Sequence, residues 1–287
     1  MTHENLILIL GGTGKTGHRV VERLEARNLR VRIGSRSAER PFDWDDPNRW
    51  GAVLQDVHSV YITFQPDLAV PGAEDAIRTF TALAVASGVQ RLVLLSGRGE
   101  EEAQRCEQIV QTAGVEWTIV RASWFNQNFS ESFFLEPILN GELVLPIGDV
   151  QEPFIDAEDI ADVVVAALTE SQHVGQIYEV TGPHLLTFGQ VVAAIASATG
   201  REIRFVQVSP QDYMAAQKEA GVPEEYLWLT NYLFTIVLDG RTAFVTDGVQ
   251  RALGRSPRDF SDYVQQTAAS GVWALIRRGA DLVPNTA

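Results

Sequence analysis

The chain's apolar residues follow two rhythms that alternate through its first 121 positions. Leu6-Ile7-Leu8-Ile9-Leu10 places five apolar side chains in a row, which predicts a strand buried on both faces. His18-Arg19-Val20-Val21-Glu22-Arg23-Leu24 spaces its apolar positions three and four apart, which predicts a helix with one buried side. The same pair of rhythms recurs downstream. Residues 30–34, 60–64, 91–95 and 116–120 read as strands, and residues 42–47 as a short third strand with a turn and a helix start after it. Residues 74–87 read as a helix closed by Gly88, and residues 100–112 as a helix stopped near Gly114. Such alternation calls for a parallel sheet covered on both faces.

Beyond residue 121 the pattern changes. Residues 122–134 are rich in rings (Trp124, Phe125, Phe129, Phe133, Phe134) with Asn126, Gln127 and Asn128 among them. Amides among apolar rings suit a substrate pocket, and a helix with an aromatic core face fits the same residues. A helix at 159–168 and a strand at 176–181 follow. Thr187 and Gln190 form a capping box for a helix ending near Gly200, and residues 203–208 read as a strand. Ser209-Pro210 opens another helix, residues 224–237 are helical and aromatic-rich, and Ser256-Pro257 opens a last helix to about residue 269. The expected division is a dinucleotide-binding part at 1–122 and 150–182, and a smaller, mostly helical substrate-binding part at 123–149 and 183–287.

The turn after the first strand carries the chemistry. Gly12, Gly14 and Gly17 satisfy G-x-G-x-x-G between a strand and a helix. Glycines there let the backbone turn tightly and approach a pyrophosphate lying on the helix N-terminus. Gly11, Gly12, Thr13, Gly14, Lys15, Thr16 and Gly17 are therefore the expected cofactor contacts, with Lys15 either a phosphate neighbour or a solvated residue at the helix start. A P-loop is excluded because Ile9 stands where its first glycine belongs. Ser96 is no nucleophile elbow, since Leu94 replaces the glycine two residues before it.

About 20 residues past the turn an NAD enzyme offers Asp or Glu to the ribose. Here Ser35 and Arg36 stand in that place. A guanidinium pairs with a 2′-phosphate, so NADP is favoured, with NAD as the alternative. Asp43 and Trp44 are placed to meet the adenine, though Trp44 equally suits a core. Phe64, Gln65, Ser96 and Gly97 fall at the carboxyl ends of strands, where a doubly wound sheet binds its ligand.

Composition narrows the partners. The net charge of −14 argues against nucleic acid and anionic membranes. A single cysteine, Cys106, excludes an internal disulfide and suits a reducing, cytoplasmic setting. No apolar run is long enough for a membrane span. The five histidines, His3 among them, form no ligand-spaced set, so no metal is expected.

Taken together, several segments resemble the NmrA-like branch of the atypical short-chain dehydrogenases. They are residues 11–17, Ser35-Arg36, Trp117-Thr118-Ile119-Val120-Arg121 leading to Trp124-Phe125 and Asn128-Phe129, Pro153-Phe154-Ile155-Asp156 with Asp159-Ile160-Ala161, and Tyr178-Glu179-Val180-Thr181-Gly182. The resemblance implies a doubly wound Rossmann sheet, an NAD(P) site and a small C-terminal domain closing a cleft. It covers quinone reductases, iminium reductases of alkaloid pathways, tailoring enzymes of aromatic polyketides, and regulators that bind cofactor without turnover.

One departure matters. Catalytic short-chain dehydrogenases use Tyr-x-x-x-Lys to protonate an alkoxide, and no tyrosine here has lysine four residues later. Three readings follow. The first is reduction of a quinone, conjugated enone or iminium, in which Ser96 and Asn128 would hydrogen-bond the acceptor and Trp124 and Phe125 would stack on it. A quinone product reacting with oxygen would make the net outcome a hydroxylation. The second is a cofactor-sensing regulator. The third is a ketone reductase drawing its proton from Tyr226 or Tyr232. The expected partner is a small aromatic molecule, and the expected assembly a monomer or homodimer.

Overall fold

The computed structural model describes residues 5–274. Its first half is β1 (Leu6–Leu10), α1 (Gly17–Ala26), β2 (Val31–Gly34), α2 (Trp50–Leu54), β3 (Val57–Ile62), α3 (Ala73–Ala86), β4 (Arg91–Gly97), α4 (Glu101–Gln111) and β5 (Glu116–Ala122). There follow α5 (Leu135–Leu139), β6 (Glu142–Leu145), β7 (Gln151–Glu152), α6 (Ala157–Thr169), β8 (Gln176–Val180), β9 (Leu186–Thr187), α7 (Phe188–Thr199) and β10 (Arg204–Gln207). The last helices are α8 (Pro210–Glu219), α9 (Glu224–Tyr232), α10 (Gly248–Leu253) and α11 (Phe260–Ser270).

Six parallel strands form the central sheet in the order β2-β1-β3-β4-β5-β8. Strand side chains alternate between faces, and the two cores sort accordingly. Leu8, Leu10, Val60, Ile62, Leu92 and Leu94 pack with Trp50, Phe80 and Cys106 from α2, α3 and α4. Ile7, Ile9, Tyr61 and Val93 pack on the other face with Val20, Leu24, Ile160 and Val164 from α1 and α6. This is the doubly wound Rossmann arrangement. From β1 the chain runs outward to β2 and then crosses to β3, so the order reverses between β1 and β3 and a crevice opens at their carboxyl ends.

A third cluster gathers Phe129, Phe134, Phe154, Phe188, Phe260 and Trp273. It includes Leu143 and Leu145 of β6, which pairs in parallel with β10 in a separate two-stranded sheet. The capping box at the start of α7 is complete, with Thr187 and Gln190 bonding each other's backbone.

Three expectations need correction. Residues 42–47 form no strand, because Asp43 accepts the Asp45 N–H at 3.2 Å and bends the chain locally. Phe42 and Trp44 both turn inward, onto Trp50 and Phe80. The third strand is instead β3, which ends at Ile62 and leaves Phe64 and Gln65 in the loop beyond it. The last helix starts at Phe260, where the Asp259 carboxylate caps the Ser261 N–H at 2.8 Å; Ser256-Pro257 lies in the loop before it.

Candidate active site

A cleft of about 400 Å³ lies at the carboxyl ends of β1, β3, β4 and β5. Its floor is the glycine turn. A Cβ on Gly17 would stand 2.0 Å from the Gly11 carbonyl oxygen, so only glycine allows the turn to close this tightly. The turn is held by Gly14 N–H donating to Gly11 at 2.8 Å and by the Tyr61 hydroxyl donating to Thr16 at 3.0 Å. The N–H groups of Gly12, Thr13, Lys15 and Thr16 donate to no backbone carbonyl among the described residues. Donors free at the entry to α1 are what a pyrophosphate needs, so the residues present fit a dinucleotide.

The expected contacts divide by position. Gly11, Gly14, Lys15 and Thr16 line the cleft together with Phe64, Gln65, Ser96, Gly97, Trp124, Phe125 and Asn128. Gly12, Thr13 and Gly17 complete the turn behind them. Ser35 and Arg36 lie past β2, with Arg36 exposed. Asp43 and Trp44 lie outside the cleft wall; the Trp44 indole N–H donates to the Thr63 carbonyl at 3.0 Å, and its ring packs on Phe64 in the aromatic core. Trp44 is core here.

The polar groups that resemble one another in sequence do different work. Gln127 bridges Asp156 and the Ala157 N–H, both at 2.8 Å, and so caps α6. Asn126 is fully buried, with neither amide atom hydrogen-bonded among the described residues. Asn128 alone of the three lines the cleft. Its Oδ1 accepts from Lys15 Nζ at 3.0 Å. An ammonium can only donate, so this bond fixes the amide's orientation and leaves Nδ2 as a donor. Burial lowers the Lys15 ammonium below its ordinary value, against the pull of Glu131.

Ser96 requires a correction. Its hydroxyl donates to Glu107 Oε1 at 2.6 Å, and Glu107 is gripped by Arg121 through Nε at 2.9 Å and Nη2 at 2.5 Å. With its proton given to a buried carboxylate, Ser96 is engaged in this arrangement and is not the free donor to the cleft expected of it. Nor do the candidate tyrosines reach the cleft wall. Tyr226 is 41% exposed, and the Tyr232 hydroxyl donates to Glu102. Burial, then Glu102, push the Tyr232 phenol above its usual range. Cys106 is fully buried, and burial pushes its thiol up to about 12, so it is a packed group.

Trp124 stacks parallel to Phe134 and edge-on to Phe188, so the third cluster holds its ring rigidly while one side faces the cleft. Phe125 lies 6.0 Å from the Lys15 ammonium, and Phe133, 59% exposed, stands on the same wall. Two carboxyls that sequence reasoning did not single out, Asp67 and Glu100, also line it. Among the described residues no three His, Cys, Asp or Glu side chains converge as a metal site, and no helix is long and apolar enough to cross a membrane.

Comparison with known proteins agrees with this geometry. Residues 11–171 match the model of a family described as NAD(P)H-binding. The chain belongs to that family. It is 30% identical to the NAD(P)H azoreductase of Xenophilus azovorans, over 92% of this chain and 99% of that one. The fold is shared with the NADPH-dependent quinone oxidoreductase QOR2 of Escherichia coli, crystallised with NADPH: TM-score 0.73, 20% identity, 91% of this chain and 99% of that one. It is shared also with NmrA, a negative transcriptional regulator crystallised with NAD: TM-score 0.71, 17% identity, 96% of this chain and 100% of that one. The family member described here binds NAD(P)H.

Proposed function

We propose that this NAD(P)H-dependent oxidoreductase reduces a flat, conjugated acceptor, a quinone-like or polycyclic aromatic molecule, in secondary metabolism. The observation that carries the reading is the shared cleft, in which the phosphate turn, the Trp124 and Phe125 rings and the Asn128 amide face one space. The cofactor, when bound, supplies hydride. Gly11 to Gly17 would hold its pyrophosphate, Ser35 and Arg36 its ribose end, and Gly97 would allow close approach at the end of β4. Trp124 and Phe125 would stack on the acceptor, and Asn128 Nδ2 would donate to its oxygen or nitrogen. Residues 123–149 and 183–274 would close over it; residues 275–287 of the expected substrate-binding part lie outside the described residues. The azo and quinone substrates named for the two relatives are conjugated acceptors of this kind.

The test is NADPH oxidation by the purified protein against quinones, azo dyes, polycyclic ketones and iminium compounds, with oxygen uptake recorded. Turnover with a conjugated acceptor is expected, and matching oxygen uptake with a hydroxylated product would identify an oxygenating outcome. Tight cofactor binding without oxidation of any acceptor would replace the reading with a regulator of the NmrA kind.

NADP preference has its own test. Arg36→Ala removes the one guanidinium at the expected ribose position. A hydrogen bond to a charged group contributes about 1.5–3 kcal/mol. At 1.4 kcal/mol per factor of ten, NADPH affinity is expected to fall at least about tenfold in titration while NADH affinity holds. Unchanged NADPH affinity would remove Arg36 from the site.

A further inference from the structure

The reading above lacks a proton donor, since Ser96 is engaged by Glu107 and no Tyr-x-x-x-Lys exists. The cleft wall holds another acid. Asp67 follows β3, where its Oδ1 accepts the Ala69 N–H at 2.8 Å. Glu100 precedes α4 and is 6% exposed. Its carboxyl lies so close against Gly97, at the end of β4, that a Cβ there would stand 2.2 Å from Glu100 Oε1. The Asp67 and Glu100 carboxyls line the same stretch of cleft, close enough for each to act on the other's charge. Two ionised carboxylates offer each other only acceptors and like charge, so such a neighbourhood favours a proton on one of them.

The surroundings keep that proton in place. Glu102 and Glu107 on α4 add negative charge; Arg105 pairs with Glu102, Arg121 with Glu107, and the Tyr232 hydroxyl of α9 donates to Glu102. No cation bonds Asp67 or Glu100 among the described residues. Burial first, then the Asp67 charge, raises the Glu100 carboxyl well above the carboxylate range, and burial raises Asp67 as well. Two carboxyls this closely coupled titrate as one unit, and the upward direction of both favours a proton held between them.

We propose that the Asp67–Glu100 pair is the acid of the reduction, with Glu100 delivering the proton into the cleft and Asp67 holding and replacing it. This rests on the oxidoreductase reading. As the acceptor gains hydride and its two electrons, the Glu100 O–H bond breaks. An O–H or N–H bond forms on the acceptor, and the pair is left with two negative charges. Asp67, partly buried with some exposure to solvent, then takes one proton from water and restores the pair. An iminium carbon needs hydride alone, whereas a quinone or azo group needs hydride and proton. The pair therefore separates the two classes of acceptor.

Two measurements test this, with Glu100→Gln and Asp67→Asn as the variants. In the cofactor-free protein, an infrared difference spectrum between acid and alkaline pH should show a protonated-carboxyl stretch persisting at pH 7. Glu100→Gln should lack it. Thermal unfolding gives the same information by linkage. A folded-state pKa above the unfolded value of about 4.3 means stability is full below that value and is lost as pH rises through the folded pKa. Glu100→Gln should flatten that loss.

In turnover, general-acid catalysis contributes about 10²–10⁴-fold. The ratio of quinone to iminium rates should thus fall on the order of 100-fold in Glu100→Gln, less in Asp67→Asn, and the alkaline limb of the quinone profile should vanish. No carboxyl stretch at pH 7, or an unchanged ratio, overturns the proposal. A stretch present in a protein that reduces no acceptor leaves the protonated pair standing and defeats the oxidoreductase reading, and with it the delivery step.

Discussion

Gly17→Ala is expected to bind NADPH on the order of 100-fold more weakly than the native protein. The added methyl would lie 2.0 Å from the Gly11 carbonyl oxygen, 2.6 Å from its carbon and 2.8 Å from the Gly12 Cα. All three are backbone atoms of the turn itself, so no rotamer change can relieve the contact. Overpacking typically costs about 1–3 kcal/mol, and here it falls on the atoms that shape the pyrophosphate site. With three backbone contacts the cost belongs at the upper end of that range, where about 3 kcal/mol corresponds to about two decades in affinity. Fluorescence titration with NADPH reads the loss. Gly51→Ala is the control, since its methyl meets nothing within 4 Å on α2. It should keep native affinity and gain about 0.5–1 kcal/mol of stability from helix propensity. Equal affinities for the two variants would mean that the turn is not the cofactor's seat.

The second large effect concerns the cleft wall. Glu107 is 1% exposed and holds the Arg121 guanidinium in a two-point contact while accepting the Ser96 hydroxyl. Glu107→Ala leaves Arg121 with Glu179 at 3.4 Å as its remaining carboxylate and leaves Ser96 without its acceptor. Breaking a buried pair from one side costs about 3–5 kcal/mol, and the longer Glu179 contact offsets only part of it, which places the loss near the lower figure. For a chain of this size that corresponds to a fall of roughly 5–8 °C in Tm. Glu107→Gln keeps an oxygen for Ser96 and one guanidinium bond, so its loss should be clearly smaller. The exposed pair Arg204–Glu142 sets the scale, and Glu142→Ala should cost about 1 kcal/mol or less. Similar Tm values for Glu107→Ala and Glu142→Ala would contradict this account of the wall.

Much of the cofactor half was legible along the chain because its signals are local. The run Leu6–Leu10 can only be a strand buried on both faces, and the glycine spacing after it constrains atoms within seven residues of one another. The capping box of α7 and the glycine stop after α3 are local in the same sense. Residues 42–47 misled for an instructive reason. Their apolar and aromatic content suits a strand, but Asp43 bends the chain and the packing of Phe42 and Trp44 against Trp50 and Phe80 decides their place. Helix α11 is similar, since a side-chain cap at Asp259 outweighed the Ser256-Pro257 signal upstream.

The amino-acid sequence alone determined the sheet's strand–helix alternation, the phosphate turn at residues 11–17, the aromatic stretch at 122–134 and the absence of the usual tyrosine–lysine acid. Each of these depends on residue types within one turn or one strand, or on a simple inventory. Only the tertiary structure decided what each polar group in the cleft can do. It took the Ser96 proton to Glu107, turned Gln127 to the cap of α6, and left Asn128 beside Lys15 facing the cleft. It also joined β6 to β10 and set Asp67 and Glu100 on one cleft wall. The physical reason is that a donor's availability depends on who accepts its proton, and these partners lie on other elements, where no local spacing marks them.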